Sequence, residues 1–184
     1  LAVNFDMHTR AFGTTMLNTL LPTWVSSATA DERRRLLTDP SVRERMRAFS
    51  GLAGYSAEGM TYRPEGGGSS LVIVGVTSAD LFDVIGAKPL MGRTFAPNED
   101  RPGAEPVVVL SWGMWQFELG GDPNVLGRRI MLGGTPTTVV GVMPRGFYFP
   151  TPEYRAWSPL MLDPASGMYR GRGWLVLIGR VKPG

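Results

Sequence analysis

The loop from Gly86 to Thr94 comes nearest in this sequence to a phosphate-binding loop. A Walker-type loop needs two glycines five positions apart, followed by Lys and Ser or Thr, because its backbone N–H groups surround a phosphate and the Lys reaches the outer phosphates. Here Gly86 and Gly92 are six positions apart, Arg93 replaces the Lys, and Pro89 has no N–H to donate. The spacing argues against nucleotide binding, and we expect these glycines to serve turns.

Nucleophiles and metal ligands are scarce. The sequence has no cysteine and one histidine, His8, so a disulfide framework, a cysteine nucleophile, a histidine-based triad and a histidine-rich zinc site are all excluded within it. Ser50 follows Phe and Ser111 follows Leu, so neither lies in a G-x-S-x-G nucleophile elbow. We predict no catalytic, cofactor-binding or metal-binding residues, and no cofactor.

Carboxylates are the remaining groups with chemistry suited to catalysis. Glu99 and Asp100 are adjacent, and Asp80 and Asp83 are three residues apart, so either set offers the paired acids that glycoside hydrolysis requires. The same acids suit a loop start and the first turn of a helix, where they cap N–H groups and complement the helix dipole. We favour these structural roles, with a carboxylate-dependent hydrolase as the open alternative. The PNEDRPG stretch lacks the alternating oxygen ligands of an EF-hand loop.

Arginine supplies nearly all the positive charge and clusters before residue 48. The cluster comprises Arg33, Arg34, Arg35, Arg43, Arg45 and Arg47. A nucleic-acid or other anion-binding module would use such residues for phosphate contacts, and this alternative also stays open. The formal net charge is only +3, and Asp31, Glu32 and Glu44 lie among the arginines. We therefore favour a solvated helix face and no nucleic-acid partner.

Two groups of aromatic residues suit either a binding surface or a core. The segment RGFYFP, Arg145–Pro150, holds three aromatics, and Trp112 and Trp115 are three residues apart on a predicted helix. An exposed aromatic tip would suit a partner protein. Aromatic residues beside a strand more often fill the edge of a core, so we expect both groups to be core residues.

The composition indicates that all of these residues lie on short helices, short strands and the turns between them. The chain has 184 residues, 43% of them hydrophobic, enough for one domain or two small lobes. Its 24 glycines and 15 prolines indicate many turns. It contains no run of about 18 apolar residues and no recognisable signal peptide. We interpret the sequence as an excised domain whose compartment the lack of cysteine leaves open.

Helices are predicted over the first fifty residues. One is expected near Thr15–Leu21, and a second begins at the capping box of Thr29. Asp39 and Pro40 begin a third, whose apolar face includes Phe49.

After Leu52 the pattern changes to strands and turns. The predicted strands are LVIVGV, PVVVLS, RRIML, TPTTVVGVM, AWSPLML and WLVLIGRV, with a tight hairpin at Gly133-Gly134. Ser78 and Ser111 are predicted N-caps of two short helices, the first of which ends at Gly86. The prediction is an α+β fold of about seven short strands and four short helices.

Six pieces of the sequence occur in a recognisable order and spacing. They are Val72–Val76, DLFDVIG, MGRTF, VVVLS, GGDPNVLGRRI and the hairpin ending TVVGVMP. Together they resemble the MacB-like periplasmic core domain of FtsX-type ABC transporter permeases, from about Met46 to the closing GRVKPG. Residues 1–40 depart from the pattern. We predict an N-terminal segment over 1–40 and a MacB-like core domain over 41–184 that lacks one closing piece at its C-terminal side.

The resemblance implies a non-catalytic, periplasmic domain inserted after the first transmembrane helix of a plasma-membrane permease. The implied partners are the remainder of the permease, a separate ATPase and, outside the membrane, an adaptor protein or the transported substrate. In such exporter-like transporters, dimerisation driven by ATP inside the cell moves the outer domain. A dimer is therefore implied for the full transporter, and the Gly86–Thr94 loop is implied to be scaffold.

Overall fold

The computed structural model describes residues 49–64, 67–161 and 176–182, together with the backbone of residues 14–16. These residues form nine strands and two helices. The strands are β1 Thr14–Met16, β2 Phe49–Arg63, β3 Ser70–Thr77, β4 Met91–Gly92, β5 Val107–Leu110, β6 Arg129–Leu132, β7 Thr135–Val142, β8 Tyr154–Pro159 and β9 Val176–Val181. The helices are α1 Leu81–Ile85 and α2 Trp112–Glu118. No helix in this part of the chain is long and apolar enough to cross a membrane.

The strands form one mixed sheet in the order β1-β9-β2-β3-β8-β5-β7-β4. The β3–β8 and β5–β7 pairs are parallel, and the other pairs are antiparallel. β6 lies off this path because it pairs with β7 on one side and with the end of β2 on the other. Strands β2, β3, β8, β5, β7 and β6 therefore form a closed circuit of paired neighbours, and the α+β prediction is confirmed.

The core has two parts, one on each face of the central strand β5. Successive side chains of a strand point to opposite faces. Val108 and Leu110 accordingly face the first cluster, and Val107 and Val109 face the second. The first cluster draws residues from all six strands of the closed circuit and includes Met114 of α2. The second lies outside the circuit, where α1 covers the sheet.

The second cluster is rich in aromatic rings. Trp157, which is fully buried, meets Phe82 edge-on with ring centroids 5.9 Å apart and meets Phe147 at 5.3 Å. Phe82 also contacts Phe95 at 5.6 Å. Edge-to-face pairs of this kind stabilise a core beyond their area burial. They attach α1 and the loop after β4 to the sheet.

Three helix ends carry local sequence signals, and the sequence predicts two of them correctly. Ser111 caps α2 as predicted, because its hydroxyl accepts a hydrogen bond from the Met114 N–H at 3.1 Å. Gly86 ends α1 in the left-handed conformation, also as predicted. The prediction that Ser78 caps α1 is wrong. Asp80 is the N-cap residue, and the Ser78 hydroxyl instead accepts from the Gly54 N–H and donates to Asp80.

The first fifty residues also differ from expectation where they are described. Thr14–Met16 pairs with β9 as a strand, so a helix beginning near Thr15 is wrong. Phe49, predicted on a helix face, begins β2 and pairs with Val181. In both places, pairing with a strand at the far end of the chain overrides the local pattern. The predicted helices that begin at Thr29 and Asp39 lie outside the described residues.

Candidate interaction surfaces

The Gly86–Thr94 loop uses its backbone groups within the fold. The Leu90 N–H donates to the Val142 carbonyl at 2.7 Å, and the Arg93 N–H donates to the Val140 carbonyl at 2.9 Å. Gly92 has a φ of 75°, a conformation that glycine adopts without steric cost. These N–H groups are not available to surround a phosphate, so this loop serves as scaffold.

Glu99 is held by Arg93 in a two-pronged ion pair. The guanidinium Nη1 donates to Oε2 at 2.9 Å and Nη2 donates to Oε1 at 2.6 Å, while Oε2 also accepts from the Ala96 N–H at 2.7 Å. The hydrogen bond from Arg93 is the largest influence on Glu99 and lowers its pKa, against the opposing effect of burial. Both oxygens of this carboxylate therefore have structural partners, and a general acid would need a raised pKa instead.

The other candidate acids are engaged in local structure. Asp100 accepts from the Ala79 N–H at 3.0 Å, and Asp80 accepts from the Ser78 hydroxyl at 2.6 Å. Both line a cavity of about 440 Å³ beside α1, which neither Glu99 nor Asp83 lines. One acid from each predicted pair therefore lines this cavity, and the other member of each pair does not. Within the described ranges, no three Asp, Glu, His or Cys side chains converge on a metal-sized site.

The two tryptophans of α2 have different environments. Trp115 packs against the first core cluster and donates its indole N–H to the Asp122 carbonyl at 2.9 Å, as its predicted core role requires. The core prediction is wrong for Trp112, which is half-buried, meets the exposed Phe117 edge-on and lies 5.1 Å below the Arg145 guanidinium. The seven-residue helix α2 packs only one face against the sheet, and Trp112 and Phe117 do not lie on that face.

The aromatic residues of the Arg145–Pro150 segment also differ in burial. Phe147 and Phe149 pack against the second core cluster, while Tyr148 between them is 61% exposed. The predicted core role is therefore correct for two of the three aromatics. The arginine cluster before residue 48 lies outside the described part of the chain and stays a prediction.

The middle of β2 carries a feature that the sequence patterns did not predict. On the edge away from β3, β2 pairs with β9 as far as Tyr55 and with β6 from Tyr62 onward. No described strand pairs with residues 56–61 on this edge, where the described part of β9 begins at Val176, opposite Tyr55. A cavity of about 850 Å³ lies beside these residues in the part of the chain that the structure describes. Residues 53–56 are buried, whereas 57–59 are exposed.

These features define an α+β domain whose candidate sites are surfaces and clefts. The sequence matches the MacB-like periplasmic core domain family over residues 6–184, and the chain belongs to that family. The match extends N-terminally beyond Met46, where the resemblance was expected to begin. Domains of this family are non-catalytic parts of ABC transporter permeases, and this chain accordingly is not an enzyme.

Solved structures show the same fold at low sequence identity. The extracellular domain of the noncanonic ABC-type transporter YknZ from Gram-positive bacteria has a TM-score of 0.57 and 20% identity, and the match covers 89% of this chain and 76% of that one. The periplasmic region of MacB from Actinobacillus actinomycetemcomitans has a TM-score of 0.59 and 16% identity, with 86% and 67% covered. Among curated proteins, none matches this sequence.

Proposed function

We propose that this chain is the extracytoplasmic domain of an exporter-like ABC permease, where it transmits ATP-driven motion to an adaptor protein or a transported substrate. The observation that carries the proposal is the pairing of β1 with β9, in which Thr14 lies opposite Arg180 and Met16 opposite Ile178. The strands nearest the two ends of the sequence are thus neighbours. This arrangement suits a domain inserted between two membrane helices, because both of its connections lead to the same membrane.

Hydrogen bonds connect β9 with α1, so a displacement of β9 can be transmitted to the rest of the domain. The Arg180 side chain on β9 donates through Nε to the Val84 carbonyl at 2.7 Å, at the C-terminal end of α1. At the other end of α1, the Ala79 N–H is held by Asp100. The neighbouring Glu99 is in turn held by Arg93. A displacement of β9 therefore moves α1 and its flanking loop together, as a packed unit.

The partners in this proposal are the membrane part of the permease, a separate ATPase and an adaptor outside the membrane, in a transporter with two permease copies. The ATPase supplies the chemical step, since ATP binding of the Walker type needs a loop that this sequence does not contain. The fold's role is to convert a change in the spacing of membrane helices into a change at an outer surface. Its rigid two-part core suits that role because a packed core transmits displacement.

The test uses the full permease assembled with its ATPase. A spin label at Lys88→Cys, an exposed residue in a sequence without cysteine, reports the distance between the two copies of the domain. We expect this distance to change between the nucleotide-free and the vanadate-trapped transporter. An ATPase variant that cannot bind ATP serves as the control and should show no change. An unchanged distance in a transporter that hydrolyses ATP normally would contradict the proposal.

A further inference from the structure

The outer side of α2 carries two aromatic rings that lie against an arginine. Trp112 is half-buried, Phe117 is 73% exposed, and the two rings meet edge-on with centroids 5.9 Å apart. The guanidinium carbon of Arg145, in the turn after β7, lies 5.1 Å from the centre of the Trp112 ring. An arginine over the face of an indole is attracted to it by the electrostatics of the ring. We call these three side chains the α2 patch.

The α2 patch lies at one end of the closed circuit of strands. The parallel strands β5 and β7 both end there, at Leu110 and Val142, and lead into α2 and the Arg145 turn. β8 begins at the same end, since the Ser111 N–H donates to the Arg155 carbonyl. Three neighbouring strands therefore fix the position of the patch.

The ranges that the structure describes end at the other side of the sheet. β8 ends at Pro159, which lies opposite Thr77, and Tyr55 of β2 lies opposite the same threonine. Val176, where the described part of β9 begins, pairs with Tyr55, and Phe49 lies still further from α2 along β2. Apart from positions 64 and 67, the ends of the described ranges therefore lie away from the α2 patch.

The polar groups of the α2 patch are all hydrogen-bond donors. A guanidinium offers five N–H groups and an indole offers one, and neither has an acceptor. Within the described ranges, Arg145 forms no ion pair and the Trp112 N–H meets no hydrogen-bond acceptor. Glu118, the residue after Phe117, is instead paired with Arg155 at 3.4 Å. The patch therefore carries an uncompensated positive charge, which suits a partner that supplies carboxylate acceptors.

The two rings define the rest of the partner's chemistry. Large aromatic side chains supply contact area on binding at a low cost in conformational entropy, because each has only two rotatable side-chain bonds. Tryptophan and arginine are also among the residue types that most often dominate the binding energy of protein interfaces. Neither of the two cavities described above is lined by residues of the patch. The patch thus suits the surface of a polypeptide better than an enclosed small molecule.

We propose that the α2 patch binds an acidic segment of a partner polypeptide. A carboxylate of the segment pairs with Arg145, and a neighbouring apolar side chain packs on Phe117. An anionic membrane fits less well, because lipid surfaces attract clusters of basic residues and Glu118 lies next to Phe117. The inference does not depend on the transporter role. Its test needs neither the permease nor the ATPase, so its failure and that of the proposed function are distinguishable.

The first measurement asks whether the patch is accessible in the free 184-residue chain. The sequence has no cysteine, so Phe117→Cys places a single thiol in the patch. Leu71→Cys, at a residue that is 76% exposed, is the matched control. The two thiols should react with a water-soluble maleimide at rates within about threefold of each other. A slower reaction of Phe117→Cys would overturn the proposal, because it would show that the chain itself covers the patch.

The second measurement is an NMR titration of the isotope-labelled chain with a synthetic peptide that has acidic residues on both sides of a central Phe. We expect a saturable shift of the Trp112 indole N–H signal, which Trp112→Phe assigns. A peptide with Lys in place of each acidic residue should bind at least about tenfold more weakly. Equal binding of the two peptides, or no saturation at millimolar acidic peptide, would overturn the proposal.

Matched variants locate the binding on the surface. Arg145→Glu should weaken binding of the acidic peptide by at least about tenfold, whereas Arg101→Glu, the same charge change at another exposed site, should weaken it by less than about twofold. Phe117→Ala should weaken binding by about three- to tenfold, and Leu71→Ala should leave it unchanged. Equal effects within either pair would overturn the proposal, because binding would then not depend on the patch.

Lipid vesicles test the other source of negative charge. The probe is a vesicle of phosphatidylcholine mixed with phosphatidylserine, and we expect no vesicle binding that depends on Arg145. Vesicle binding that is lost in Arg145→Glu, in a chain that does not bind the acidic peptide, would overturn the polypeptide partner in favour of a lipid surface.

Discussion

Gly141 on β7 and Arg93 after β4 are in direct backbone contact, so that a β-carbon at residue 141 would collide with the Arg93 carbonyl oxygen. A β-carbon at Gly92 would collide with the Val140 carbonyl oxygen in the same way. The two glycines allow β4 to approach β7 more closely than any other residue type would permit. This close approach, and not a ligand, accounts for the glycine that made the Gly86–Thr94 loop resemble a phosphate-binding loop.

The first prediction concerns this contact. Gly141→Ala should lower the free energy of unfolding by about 1–3 kcal/mol, because the obstacle is backbone and has no rotamer by which to move away. Gly68→Ala is the matched control, since a β-carbon at Gly68 would meet no other atom within 4 Å. It should change stability by less than about 0.5 kcal/mol. Urea unfolding of both variants measures the difference, and equal effects would contradict the close packing of β4 on β7.

The second prediction concerns acid stability. The pKa of Glu99 is lowered from its usual value near 4.5, chiefly by the hydrogen bond from Arg93. A carboxylate with a lowered folded-state pKa adds stability that is present above its unfolded-state pKa and is lost as the pH falls through the folded-state value. Arg93 is half-exposed, so solvent screening limits the contribution at pH 7 to about 0.5–1 kcal/mol.

Glu99→Gln should therefore be less stable than the parent at pH 7 and nearly equal to it at pH 3. Glu105→Gln, at an exposed carboxylate, is the control and should follow the parent at both pH values. Unfolding free energies of the three proteins, measured between pH 3 and pH 7, test this predicted pH dependence. A constant gap between Glu99→Gln and the parent across this range would show that the ion pair does not stabilise the fold.

The third prediction separates core from surface aromatics. Phe82 is fully buried among Trp157, Phe95 and Phe147, whereas Phe117 is 73% exposed. Phe82→Ala should cost about 3–5 kcal/mol, because it leaves a cavity in the second cluster. Phe117→Ala should cost less than about 0.5 kcal/mol. Thermal unfolding of the two variants measures the difference, and a large loss for Phe117→Ala would show that its contact with Trp112 stabilises the fold.

The fourth prediction concerns the link from β9 to α1. Arg180→Met keeps the length of the side chain and removes the donors to the Val84 and Asp83 carbonyls. We expect a loss of about 1 kcal/mol and faster amide exchange confined to α1 and its flanks. Arg101→Met, at an exposed site with no ion pair in the described ranges, is the control. Unchanged exchange in α1 would mean that Arg180 does not couple the two elements.

Features with local causes could be predicted from the sequence. The Ser111 cap, the left-handed Gly86 and the Gly133-Gly134 turn each depend on residues within a few positions of one another. The buried run of β5 was equally clear, because four consecutive apolar residues suit a strand covered on both faces.

Features set by distant partners could not be predicted. β2 is the longest of the described strands, yet its sequence includes several small residues. It is a strand because of its pairs with β3, β6 and β9. Its pairs with β6 and β9 join residues more than sixty positions apart in the sequence. The same limit applies to the acids, because Asp80 and Asp100 line one cavity only once α1 packs beside the loop.

The placement of this domain outside the membrane is tested most directly by chemical labelling of intact cells. The sequence contains no cysteine, so Lys88→Cys adds one exposed thiol at a known place in the domain. The parent permease without this substitution controls for labelling elsewhere. The account predicts that a membrane-impermeant maleimide labels Lys88→Cys in cells whose plasma membrane is intact. Labelling only after that membrane is lysed would place the domain inside the cell and contradict the account.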